Sequence, residues 1–440
     1  MNITLPSDVK RIIEVLETAG YEAYAVGGCV RDSILGRVPD DWDITTSAKP
    51  EEVKKLFKRT FDTGIEHGTV TVLMDKIGYE VTTYRIDGEY EDSRHPNEVT
   101  FTSDLVEDLK RRDFTINAMA YNDKNGLIDC FGGISDIENR LIRCVGKAEE
   151  RFSEDALRIM RAVRFSAQLG YEIEEETAKA ICALSDTLKN ISAERIQVEL
   201  VKLLVSCHPE KVRQLYEYGI TKVILPEFDA MMNTPQNTPY HIYNVGEHTI
   251  CSLKNIENDK VLRLTMLLHD CAKPITRSTD EEGVDHFKHH AREGSELARK
   301  VLKRLRFDND TIKKVTTLIM YHQFKIELTE VKVRTGMHIV GEDLYPKLLL
   351  VKRADNLSKS PLAVSKNLQL LDEFEQIYNR VRDRGDCTSL KKLAVTGKDL
   401  IEAGIEPGEK LGQTLEQLLE QVLLDPDKNK KEVLLSLIEN

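Results

Sequence analysis

An α+β head followed by an all-helical remainder is the fold class predicted for this 440-residue sequence, on three observations. Strand-like runs rich in Val, Thr and Tyr are confined to the stretch before Leu141. From Glu154 onward the sequence reads mostly as helices, punctuated by Pro209, Pro226, Pro235, Pro239, Pro274, Pro346 and Pro407. Aromatic residues make up only 6% beside abundant Leu, Glu and Lys, a balance that favours helix. The length suggests about three domains. The layout divides the chain into a head with a mixed sheet over 1–140, a helical neck over 141–225, a helical body over 226–370 and a helical tail over 371–440.

Composition sets outer limits on function. Hydrophobic residues at 41% and charged residues at 31% are those of a packed protein, not of a disordered chain. Asp8, Lys10, Arg11 and Glu14 interrupt the first apolar residues, unlike a signal peptide. No run of about 18 apolar residues is present, so no membrane helix is expected, and the cytoplasm is the expected compartment. The eight cysteines are dispersed without a C-x-x-C pair and read as reduced thiols. A net charge of -12 excludes a protein that coats nucleic acid nonspecifically, yet local basic patches leave room for a transient RNA partner.

In chain order, Tyr21–Val26 is strand-like and runs into Gly27-Gly28, then Val30–Leu35 reads as a helix stopped by Gly36. Two glycines at a strand-to-helix junction let backbone N–H groups approach a phosphate, and Arg31 adds a charge-assisted contact. Asp41 and Asp43 follow, two apart on a predicted strand, where side chains leave the same face roughly 7 Å apart. A lone D-x-D reads as a solvated acidic turn; behind a glycine turn it reads as a carboxylate pair sharing divalent cations for phosphoryl transfer. Mg²⁺ suits such oxygen ligands and keeps substrate phosphates in its shell. Gly68–Met74 and Tyr79–Ile86 flank Asp75-Lys76-Ile77-Gly78, whose glycine suits a hairpin turn. Arg85–Pro96 is polar with Gly88 and Pro96 and reads as a loop. Lys110-Arg111-Arg112 is a basic run on a helix capped by Ser103. Glu154–Gly170 reads as one amphipathic helix with Ala156, Ile159, Met160, Val163 and Ala167 on a stripe. On its surface Asp155 and Arg158 are neighbours, an acceptor beside a donor. Cytosine and adenine each offer an exocyclic amine beside an unprotonated ring nitrogen, which such a pair matches; uracil and guanine offer a carbonyl beside a ring N–H.

Gly27-Gly28-Cys29-Val30-Arg31-Asp32, Asp41-Trp42-Asp43, Arg111–Ala118 and Glu154-Asp155-Ala156-Leu157-Arg158 together resemble the bacterial tRNA nucleotidyltransferase and poly(A) polymerase family, in its order and spacing and over roughly the first half of the chain. The resemblance implies a polymerase-β-like nucleotidyltransferase head. It implies that Asp41 and Asp43 are catalytic and hold Mg²⁺, and that Gly28 and Arg31 contact the incoming nucleotide. Arg112 and Asp113 would hold its phosphate and ribose, and Asp155 and Arg158 would select the base. Arg161 and Arg164 continue the spacing of three, each step drifting about 60° around a helix, so they are assigned to phosphate or to orienting Asp155. A loop of the Arg85–Pro96 type is associated in the family with incorporating A after CC. Ser192–Ile196 resembles a later helix motif of the family, with a supporting role.

The expected activity is template-independent addition of CMP and AMP from CTP and ATP to the tRNA 3′ end, with release of pyrophosphate. A poly(A) polymerase, or an enzyme adding only A or only CC, is the alternative within the family. A different class comes from the helical half. His248, then His269-Asp270 with Lys273, then Asp355 resemble the HD phosphohydrolase superfamily over Tyr240–Leu357. The resemblance implies a second divalent metal on His248, His269, Asp270 and Asp355, with His289, His290 and His322 as further ligands or phosphate contacts. It also implies a phosphatase or cyclic phosphodiesterase acting on RNA ends.

Overall fold

The computed structural model describes residues 2–64, 68–88 and 99–438. It divides into two compact units, Met1–Pro226 and Glu227–Asn440. The first opens with α1 (Ser7–Thr18), whose Val9, Ile12, Ile13 and Leu16 are spaced three and four apart and buried on one face. Then come β1 (Ala23–Val26), α2 (Gly28–Ile34), β2 (Ile44–Thr46), α3 (Pro50–Leu56), β3 (Thr60–Gly64), β4 (Thr69–Met74) and β5 (Ile77–Thr83). β6 (Arg85–Asp87) pairs with β7 (Val99–Phe101) as a separate ribbon, and residues 89–98 of the expected loop lie outside the described residues. α4 (Leu105–Lys110), β8 (Met119–Asn122), β9 (Gly126–Asp129) and α5 (Gly133–Glu138) complete the head.

Seven strands form one sheet in the order β3-β4-β5-β2-β1-β8-β9. The β2–β5 pairing is parallel and the others antiparallel, so the sheet is mixed as expected. β1 is buried along its whole length, as a central strand covered on both faces must be. The chain reverses after β4 at Asp75 and Lys76, with φ of 42° and 74°, while Met74 and Ile77 pair. This is the two-residue turn whose twist suits a hairpin. Gly78 is therefore not the turn residue. It stands in β5 opposite Leu73, where a Cβ would lie 2.9 Å from Thr71 Cγ2.

Two helix boundaries differ from expectation. Asp104, not Ser103, caps α4, accepting from Val106 N at 2.8 Å. The helix expected over Glu154–Gly170 forms as α7 (Leu157–Leu169), three residues shorter at its start, and Glu154 is the last residue of a separate preceding helix, α6 (Ala148–Glu154). Asp155 breaks them, with φ −135°, because its Oδ1 accepts from Leu157 N at 3.0 Å and so caps the second. α8 (Glu175–Leu184) packs on α6, and α9 (Ala193–Leu204) packs along α7 through Ile196, Leu200 and Leu203. α10 (Val212–Glu217) and α11 (Thr221–Ile224) follow.

The second unit is mostly helical: α12 (Pro226–Met232), α13 (Val245–Lys254), α14 (Lys260–Leu268), α15 (Lys273–Thr276), α16 (His290–Arg304), α17 (Asn309–Tyr321), α18 (Glu330–Val340), α19 (Tyr345–Leu357) and α20 (Pro361–Arg384). It departs from the all-helical expectation in one short antiparallel hairpin, Arg277–Thr279 against Asp285–Phe287. α14 is buried from Leu262 to Leu268 without interruption and is packed by α13, α17 and α19. Buried on every side over that stretch, Arg263 and Thr265 included, the helix sits inside the unit, and its C-terminus delivers His269-Asp270 to the interior. The position expected to separate body from tail, 370/371, falls within α20. Past it, Leu400, Leu418, Leu419, Val422, Leu423 and Leu434 gather in a core of their own. Among the described residues no helix is long and apolar enough to cross a membrane.

Candidate active site and metal centre

The first site lies where β1, α2 and the segment before β2 meet. Asp41 and Asp43 are not on a strand: they lie in the chain just ahead of β2, with Asp43 continuing the ladder by accepting Val26 N at 3.0 Å on its backbone carbonyl. Asp41 is exposed and Asp43 half-buried. Neither carboxylate takes a hydrogen bond or ion pair from the described residues. Burial and the neighbouring Asp41 charge push Asp43 up to about 6, opposed by Arg112; Glu80 on β5 is a further acidic neighbour. An all-oxygen pair to which no described side chain is bonded, and whose mutual repulsion Arg112 offsets only in part, has the chemistry of a hard-cation site.

Gly27 makes the close approach possible. Its φ of 82° is a glycine conformation, and a Cβ there would lie 3.2 Å from Arg112 Nη1. Gly28 begins α2 with Arg31 Nη2 3.7 Å from its hypothetical Cβ. Arg112 is itself held by buried Asp108, 3.4 Å away, which also pairs with Arg111.

Facing this turn is an array of cations fixed by polar partners. Arg31 grips Asp32 through Nε and Nη2 at 3.0 and 2.9 Å, and donates to Asn117 Oδ1 at 2.6 Å. Asn117 donates in turn to Asp113 at 3.2 Å, and Asp113 accepts Arg161 Nε at 2.8 Å. Burial resists ionisation of Asp113, but Arg161 and Arg158 outweigh it and hold the carboxyl down to about 2. Arg164 pairs with buried Glu199 at 2.6 Å. Arg164, Arg31 and Arg161 surround the Phe165 ring, at 3.7, 5.1 and 5.5 Å from its centroid.

Asp155 and Arg158 do not form the surface pair expected of them. Asp155 Oδ2 accepts from Arg195 at 2.8 Å, so Arg195, within the predicted supporting motif, orients it; Arg161 and Arg164 are engaged elsewhere. Arg158 is buried against Glu154 at 2.5 Å and donates to the carbonyls of Arg151 and Arg111, both at 3.0 Å. Sequence reasoning did not find Phe165, Asn117 or Glu199. Phe165 and Glu199 resemble ordinary core and surface positions until α7 and α9 are packed together.

The second unit carries a separate cluster. His248 on α13 contacts Asp355 Oδ1 on α19 at 3.0 Å. Asp270 sits among the rest: Oδ2 lies 3.2 Å from His269 Nε2, 3.7 Å from His248 Nε2 and 2.7 Å from Lys273 Nζ. Oδ1 lies 3.4 Å from His290 Nε2 and 3.8 Å from His322 Nε2. All seven of these residues, Lys273 included, are at least nine-tenths buried. Each imidazole is anchored by Nδ1 on a backbone carbonyl: His248 on Ser358, His269 on Met266, His290 on Phe287 and His322 on Ile319. A ring that donates from Nδ1 presents a lone pair at Nε2. The Nε2 atoms of His269, His290 and His322 have no hydrogen-bond partner. Of the three extra histidines expected here, His289 stays outside, exposed at the cap of α16. A cavity of about 290 Å³ lined by His241, Lys273, Phe287 and His290 reaches the cluster.

Comparison with known proteins places these features. A family model described as "Poly A polymerase head domain" matches residues 23–143, and one described as "Probable RNA and SrmB- binding site of polymerase A" matches 170–232. A third, "tRNA nucleotidyltransferase domain 2 putative", matches 278–438. The chain is 39% identical over 428 residues to a CCA-adding enzyme of Lactiplantibacillus plantarum, covering 97% of this chain and 94% of that one. It is 38% identical over 434 residues to a CCA-adding enzyme of Levilactobacillus brevis, covering 97% and 96%. Its fold matches the crystal structure of the Bacillus stearothermophilus CCA-adding enzyme in complex with CTP at a TM-score of 0.74 and 29% identity, covering 99% and 98% of the two chains.

Proposed function

The chain belongs to the family of CCA-adding enzymes and poly(A) polymerases and adds C, C and A to the 3′ end of tRNA from CTP and ATP, and we propose that Asp41 and Asp43 are its catalytic residues, holding Mg²⁺, in a cytoplasmic enzyme. Bound there, divalent ions supply charge neutralisation of the triphosphate and a lowered pKa for the attacking hydroxyl. The 3′-hydroxyl oxygen bonds to the α-phosphorus, the bond to the departing pyrophosphate breaks, and the hydroxyl proton leaves.

This chain's residues prepare that step. Gly27 and Gly28 keep side chains out of the turn, so the triphosphate approaches the backbone beside Arg112. Arg31, Arg161 and Arg164 form a cationic wall around Phe165 that offsets phosphate charge without having to be ordered at the moment of reaction. Asp113, its oxygens engaged by Arg161 and Asn117, fixes the wall. Asp155 presents an acceptor set by Arg195, and Arg158 a donor set by Glu154. The amine and ring nitrogen of cytosine or adenine satisfy both, whereas uracil and guanine leave them unpaired. The observation that carries the reading is the unpartnered Asp41/Asp43 pair beside the Gly27 turn and Arg112. The test offers tRNA transcripts ending before C, after CC and after CCA, with each NTP supplied separately. Stepwise extension that stops after the terminal A is expected. Unlimited A addition supports a poly(A) polymerase instead, and no extension by CMP or AMP overturns the reading.

The anchored imidazoles of the second unit favour a further role. His248, His269, Asp270 and Asp355 hold a divalent metal there, and the site hydrolyses phosphoesters at RNA ends. Nitrogen and carboxylate donors suit a transition-metal ion, and neutral imidazole is the form that binds it.

A further inference from the structure

A cleft of about 810 Å³ lies in the head, between α1, the end of α3 and the hairpin that joins β4 to β5. Four cations line it: Arg11 from α1, Lys58 and Arg59 from the chain between α3 and β3, and Lys76 from the hairpin turn. Asp75 is the one acidic residue on its lining among the described residues. In a chain of net charge -12, that excess of positive charge is a local departure. All four cations are exposed, and among the described residues none of their side chains takes an ion pair or a hydrogen bond. Lys54, on the last turn of α3, shows the ordinary alternative, pairing with Asp62 at 2.9 Å.

The sheet sets where these charges stand. The carbonyl of Arg59 accepts Leu73 N at 3.0 Å, which ties the approach to β3 to the end of β4. Lys58, Arg59 and the Asp75-Lys76 turn therefore share one end of the sheet. Asp43 lies at that same end. β2 and β5 run parallel with Ile44 opposite Val81, which sets Asp43 level with Glu80. Lys76 comes four residues ahead of Glu80, roughly 13 Å farther out along the strand. A small phosphorylated ligand calls for an enclosed pocket with a few fixed polar groups. Long exposed cations without such groups recognise charge, and a nucleic-acid backbone is the ligand that presents charge in a row. The half-buried Phe57 and Met74 on the cleft floor give the aliphatic stems a surface to lie on. An RNA whose 3′-hydroxyl is held at Asp41 and Asp43 has to lead its backbone away from them, and the cleft stands on the rim at their end of the sheet.

We propose that this cleft docks the sugar-phosphate backbone of the tRNA behind its growing 3′ end, with Arg11, Lys58, Arg59 and Lys76 as the phosphate contacts. The inference rests on tRNA being the substrate and adds a surface of the head that holds it. Filter retention of a tRNA ending in CC on the full chain, without NTP, tests it over a series of KCl concentrations. Lys58→Gln/Arg59→Gln/Lys76→Asn removes three of the cations from exposed positions, and Asn tolerates the positive φ of residue 76. At about 0.1 M KCl the Kd is expected to rise at least about 10-fold, and the slope of log affinity against log salt to become shallower by about 2. The KM for tRNA should rise with the Kd while the KM for CTP stays as it was. An unchanged Kd and slope, in a variant whose thermal melt matches the wild type, overturns the proposal. A weaker Kd with an unchanged slope also overturns it, because lost phosphate contacts must release fewer counterions. If the triple variant does not fold, Arg11→Gln/Lys76→Asn carries the same test, with a slope shallower by about 1–2 expected and no change overturning the proposal. No nucleotide is added in the binding measurement, so its outcome does not depend on the roles of Asp41 and Asp43.

Discussion

Asp43 is the residue whose chemistry is most exposed to test. Burial and the Asp41 charge push its carboxyl up to about 6, above the ordinary aspartate range, so keeping it ionised at neutral pH costs the folded state about 1–3 kcal/mol. The sign follows from the raised pKa: without Mg²⁺, this contribution destabilises the protein as pH rises through 6 and is relieved as pH falls. Asp43→Asn is therefore expected to raise the melting temperature of the metal-free protein at pH 7 while abolishing nucleotide incorporation. Added Mg²⁺ should stabilise the wild type more than the variant. Glu199 gives the opposite case. Removing it leaves Arg164 buried and unpaired, and Glu199→Ala should lose about 3–5 kcal/mol in urea denaturation. Asp155→Asn keeps a side chain of the same shape but adds a donor where only acceptors stood. Preference for CTP over UTP should fall by at least about 100-fold in single-nucleotide assays. The carboxylates, the glycine turn and the cluster histidines were legible from the sequence because each departs from what its surroundings would otherwise contain. Phe165 and Glu199 were not, since an aromatic on an apolar helix stripe and a glutamate on a charged one carry no local mark of their partners.

Among elements, the α6–α7 break shows why a periodic stripe misleads. The apolar stripe from Ala156 to Ala167 belongs to α7 and its N-cap, and neither glycine nor proline marks the residue ahead of it. Only the side chain of Asp155, bonding to Leu157 N, ends one helix and begins the next. The hairpin between β4 and β5 misled for a related reason: a nearby glycine drew the turn toward itself, whereas Asp75 and Lys76 supply the positive φ angles. The β1–α2 turn has no such freedom. Gly27→Ala forces a side chain into a conformation that costs about 1–3 kcal/mol and brings its Cβ to 3.2 Å from Arg112 Nη1. Thermal melts and kcat/KM for CTP should both fall, the second more than the stability loss accounts for, because Arg112 must move.

At the scale of the whole chain, the mixed head and helical remainder follow from where strand-like runs stop. The seven-strand order does not follow, because β5 pairs in parallel with β2 across a long stretch of chain that no local pattern encodes. The two compact units also carry different donor sets, the Asp41 and Asp43 carboxylates in one and mainly imidazoles in the other. Chelation followed by return of Mg²⁺ alone should restore nucleotide addition. The second unit should still unfold at a lower temperature in calorimetry, by an amount that a transition-metal ion at 100 times its Kd would make up with about 2.7 kcal/mol.

His269, His290 and His322 each hang from the carbonyl of the residue three positions earlier. Their aim is thus inherited from the register of the main chain and not from neighbouring side chains. A single inserted residue just ahead of His269 or His322 would swing that ring by about 100° and blind it to Asp270. Insertions and deletions among functional descendants of this sequence should spare those two helix ends even where the surrounding side chains drift freely.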